Sequence, residues 1–103
     1  MIRNGQKETD IKISLKNLGT VNKNSVTIAN SNKQVSLYFS YDTLIAVDDI
    51  VSENNWSVTT GKFLNELEPN HKNRISHEQV LTEAQRRLKA VLYSEPELTA
   101  REV

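Results

Sequence analysis

The chain has 103 residues, enough for one domain of ordinary size, and 28 of them are Leu, Ile, Val or Phe. That share lies above disordered compositions and predicts a fold, although a mean hydropathy of -0.55 keeps the core small. Thirteen basic residues balance thirteen acidic ones, and the absence of cysteine excludes a disulfide scaffold, a thiol nucleophile and an iron–sulfur cluster.

Three segments of the first half carry the two-residue period of a strand. Residues 11–16 alternate Ile11, Ile13 and Leu15 with Lys12, Ser14 and Lys16, the pattern of a half-buried strand. Asn17-Leu18-Gly19-Thr20 supplies turn chemistry, and residues 25–29 form a second, β-branched stretch. Asn30-Ser31-Asn32-Lys33 reads as a hairpin loop, followed by a third strand over 34–40 with Val35, Leu37 and Phe39 on one face and Tyr38 on the other. Tyr41-Asp42-Thr43 marks a tight turn. Leu44-Ile45-Ala46-Val47 is a continuous apolar run suited to a strand covered on both faces. Asp48-Asp49 interrupts it, and Ile50-Val51 resumes as a short edge.

The second half changes period. Thr59 or Thr60 is placed to cap a short helix over 61–68 that gathers Phe63, Leu64 and Leu67 and is ended by Pro69. Ser76 and Gln79 have the spacing of a capping box, with Ile75 before the cap able to staple onto Val80. From there Val80, Leu81, Ala84, Leu88, Val91 and Leu92 recur at helical spacing. This predicts a helix of about 17 residues, stopped by Ser94-Glu95-Pro96. The expectation is an α+β domain over residues 1–95: an antiparallel sheet of about five strands, covered on one face by the C-terminal amphipathic helix and the short one. Lys12, Lys16, Ser36 and Tyr38 then lie on the uncovered face, and residues 96–103 form a fraying tail.

Motifs for chemistry are sparse. His71 and His77 are the only histidines, His77-Glu78 lacks the second histidine of a zincin helix, and both rings read as solvated. Thr59-Thr60-Gly61-Lys62 lacks the first glycine and the final hydroxyl of a phosphate-binding loop. The helix N-terminus can still bind a phosphate through its free N–H groups with Lys62 nearby, or Thr59 or Thr60 can simply cap the helix. Asp48 and Asp49 are adjacent, so on a strand they diverge and form no catalytic carboxylate pair. The sequence predicts no catalytic residues, no metal and no cofactor.

Binding surfaces are more legible. Residues 1–40 carry a net charge of +4, residues 41–70 a net of -5 and residues 71–103 a net of +1. Such a dipole can steer a charged partner, or each segment can merely solvate its own face. Trp56, in a polar loop, either tucks beneath that loop or stands out as an anchor. Candidates for a protein partner are Tyr38, Tyr41, Asp48, Asp49, Glu53, Trp56, Thr60 and Lys62. Candidates for nucleic acid are Lys12, Lys16, Lys23 and Lys33, with Tyr38 as a stacking platform.

Tyr38-Phe39-Ser40-Tyr41-Asp42-Thr43-Leu44-Ile45-Ala46 and then Trp56-Ser57-Val58-Thr59-Thr60-Gly61-Lys62-Phe63-Leu64-Asn65 resemble a short domain of unknown function found in phage, plasmid and other mobile-element proteins. The resemblance covers residues 35–68, with Phe63 where that domain usually carries histidine. It implies a mobile-element protein acting in the host cytoplasm, as a monomer or homodimer. Small binders of that origin often inhibit host defence, as anti-CRISPR proteins do. The expected partner is thus a host protein, such as a Cas nuclease or its ribonucleoprotein, blocked by occlusion; the alternative is a nucleic-acid-binding accessory or regulatory protein.

Overall fold

The computed structural model describes residues 11–93 of the chain. Five strands form one antiparallel sheet in the order of the chain: β1 (Lys12–Asn17), β2 (Lys23–Ala29), β3 (Gln34–Ser40), β4 (Thr43–Val47) and β5 (Ile50–Val51). Among the described residues two helices follow, α1 (Val58–Leu67) and α2 (His77–Leu92), joined through a 3-10 turn at His71–Asn73. Over the described residues the fold is therefore an α+β meander in which the strands precede the helices. None of the described helices is long and apolar enough to cross a membrane.

The turns form where the sequence places them. The Asn30 side-chain oxygen accepts from the backbone N–H groups of Asn32 and Lys33, both at 2.7 Å, closing the β2–β3 hairpin. Two other turn positions have left-handed backbone, Tyr41 at φ 56° and Asp48 at φ 52°. Aspartate tolerates that region, whereas a tyrosine there is strained.

The helices lie on opposite faces of the sheet, which corrects the expectation of one covered face. Val35 and Val47 share the α2 face and are fully buried against Val80, Ala84 and Val91. Across the sheet Ala46 and Ile45 pack with Val51 against Phe63 and Leu64 of α1, and Tyr38 closes over that cluster. A β-bulge makes this possible. Tyr38 pairs with Ala46 and Phe39 with Leu44, which leaves Ile45 as an extra residue on β4. The extra residue lets neighbouring side chains Ile45 and Ala46 both serve the α1 cluster. A strictly alternating strand would send one of them to the other face.

Helix boundaries follow from caps. Ser57, rather than Thr59 or Thr60, caps α1, its hydroxyl accepting from the Thr60 N–H at 3.1 Å. The helix thus begins three residues before the expected start. Thr60 is instead buried, its hydroxyl 2.9 Å from that of Ser40. The capping box of α2 forms as expected, and the helix runs 16 residues to Leu92. The stop at residues 94–96, the domain limit at 95 and the tail at 96–103 lie outside the described residues.

Candidate interaction surface

The partner candidates do not come together on one surface. Tyr38 is half-buried beneath α1, and Thr60 is buried with Ser40. Tyr41 is 59% exposed at the β3–β4 turn, and Lys62 is exposed on α1. Glu53 is exposed beyond β5, where its N–H donates to the Ile75 carbonyl at 2.8 Å. Trp56 sits between its two expected positions: 37% exposed, with its ring edge-on to that of His77 at 4.8 Å. His77 is accordingly not the solvated histidine that the sequence suggested. Its Nε2 lies 2.9 Å from the Leu44 carbonyl, so that nitrogen carries the proton and donates, tying the start of α2 to β4.

Asp48 is held inside the fold. One carboxylate oxygen accepts from the Ser36 N–H at 2.9 Å, and the other meets the Arg87 guanidinium of α2 at 2.8 Å. Arg87 also binds Glu83 at 3.2 Å, and Glu83 pairs with Arg86 at 2.7 Å. The hydrogen bond from Arg86 holds the Glu83 carboxyl below its ordinary pKa. The hydrogen bond to Asp48 raises that of Arg87. This chain of ion pairs fixes α2 to the β4–β5 turn. Asp49, next to it, is exposed and reaches Arg87 only at 3.9 Å.

The basic candidates also divide. Lys23 pairs with Glu66 of α1 at 2.6 Å and lies 5.5 Å from the centre of the Phe63 ring, so it serves packing between β2 and α1. Lys33 lies with Arg86 and Arg87 around a shallow pocket of about 240 Å³ on the α2 side. Lys12 and Lys16 project from one face of β1, both exposed and neither in an ion pair among the described residues.

What the sequence reading missed is the other face of β1. Strand register aligns Leu15 with Val26 and Leu37, and Ile13 with Ile28 and Val35. Helix α2 lies mainly over β4 and β3, so this apolar row runs out from under it. Ile13 is 70% exposed and Leu15 73%. With half-buried Val26 and Phe39 they fall outside both buried clusters. Every residue of β1 is exposed, and among the described residues no strand flanks its outer side. Lys12 and Lys16 were a signal for the edge position of β1, since lysines on a strand often mark an edge, but not for the missing cover on its apolar side.

No curated protein and no solved structure matches the chain. A family model described as a family of unknown function (DUF8033) matches residues 13–83, from β1 into α2, and the chain belongs to that family.

Proposed function

We propose that the chain is a non-catalytic binding module that seats a protein partner on the open half of its sheet. The observation that carries this reading is the exposure of Ile13 and Leu15 at 70% and 73% on a strand whose outer edge is free among the described residues. Apolar side chains raised beside an unpaired strand edge offer a partner both buried area and main-chain hydrogen bonds. The resemblance to mobile-element domains gives the partner its class. It is a host defence protein, such as a Cas nuclease or its ribonucleoprotein, met in the host cytoplasm and blocked by occlusion. Nucleic-acid binding has less support, because Lys23 is engaged with Glu66 and Phe63 while Lys33 lies on the α2 side, away from Lys12 and Lys16.

The test places a photo-crosslinking amino acid at position 15 and, as control, at position 62 on α1, in cells carrying the defence system. The expected result is a light-dependent adduct with one host protein from position 15 and none from 62. An adduct with nucleic acid, or equal labelling from both positions, overturns the reading.

A further inference from the structure

We infer that β1 accepts, as a sixth strand, an extended partner segment in which apolar and acidic residues alternate. This rests on the proposed role of the open sheet face and adds the chemistry of what binds there. A strand added beside β1 places its own alternate side chains on the two faces of the sheet. On one face they lie next to Ile13 and Leu15, which are mostly exposed and demand apolar neighbours. On the other they lie next to Lys12, Ser14 and Lys16, whose two ammonium groups have no ion-pair partner among the described residues. Opposite charges across neighbouring strands stabilise pairing, and like charges oppose it.

The same lysines argue against a second copy of this chain as the occupant. In the symmetric antiparallel register that sets Ile13 opposite Leu15, Lys12 of each copy faces Lys16 of the other. Two like-charge pairs then oppose the two apolar contacts. Lysine on a free edge is a common device against self-association. Here it also selects, because the charge that repels an identical strand attracts an acidic one.

The experiment titrates the isotope-labelled full chain with two peptides of about seven residues, one alternating valine and glutamate, the other valine and lysine. Amide resonances and light scattering are followed together. The expected result is that the glutamate peptide shifts the amides of β1 and binds at least about tenfold more tightly than the lysine peptide. Reversal of that preference in a Lys12→Glu, Lys16→Glu variant, with the dispersed spectrum of a folded chain retained, completes the support. Equal binding of both peptides, or unmoved β1 amides, overturns the inference. So does a dimer of the unliganded chain that Ile13→Thr with Leu15→Thr dissociates. If position 15 still crosslinks to a host protein while the glutamate peptide leaves β1 unmoved, the binding-module reading stands and the acidic-strand inference falls. Loss of both results removes the two together.

Discussion

Tyr41 and Asp48 occupy the same left-handed region of backbone, yet their side chains relate to it differently. Asp48 is tied to Ser36 and Arg87, so its conformation is supported by two contacts. Tyr41 is 59% exposed at φ 56°, with its N–H donating to the Asn22 carbonyl at 2.9 Å. An L-residue of this bulk gives up about 1 kcal/mol or more in that region, and asparagine tolerates it. Tyr41→Asn is therefore expected to stabilise the chain by about 1 kcal/mol, a rise of several degrees in a calorimetric Tm. A fall would show that the tyrosine ring makes a stabilising contact. The residue scale also shows where local reading succeeds. Asn30 was legible as a turn former, because its side chain bonds its own neighbours. The link from Asp48 to Arg87 was not, because it joins positions 39 residues apart.

At the scale of elements, caps decide boundaries more than period does. Val58-Thr59-Thr60 weakens the helical period at the start of α1, since β-branched residues are poor helix formers, and so pushes the expected start inward. Ser57 overrides that preference by satisfying the Thr60 N–H. Ser57→Ala is expected to cost about 1 kcal/mol in urea unfolding, and Thr59→Ala, at an exposed site, less than about 0.5 kcal/mol. A larger loss from Thr59→Ala than from Ser57→Ala would return the cap to Thr59. The Glu83 cluster gives a pH signature for α2. Its folded-state pKa is depressed by the hydrogen bond from Arg86, so its stabilisation is present above the unfolded value of about 4.3 and is lost as pH falls through the folded value. Glu83→Gln should flatten the loss of stability below about pH 4.3, measured by denaturation at stepped pH, and leave its slope near neutrality unchanged. An unchanged acid limb would show that the pairing is weak in solution.

For the whole molecule, the α+β class and the five-strand meander were legible because alternation, turn residues and a capping box all agree with the fold. The placement of the helices on opposite faces was legible only in part: the apolar run of β4 marks a strand covered on both sides, as it is, but not which helix takes which side. The run Leu44-Ile45-Ala46-Val47 is apolar throughout, so nothing in it announces the bulge that turns Ile45 and Ala46 together towards α1. Nor does alternation in β1 say whether its apolar side meets a cover; it says only which residues share a side. With α2 set over β3 and β4, the row through Ile13 and Leu15 is left as the open surface on which the proposed function rests. The direct test is the equilibrium unfolding free energy of the Ile13→Thr, Leu15→Thr variant, which keeps β propensity while removing apolar surface. The predicted result is a value within about 0.5 kcal/mol of the parent, as expected for exposed sites. A loss of about 2 kcal/mol or more would contradict it, because these side chains would then be buried in the folded chain and unavailable to a partner.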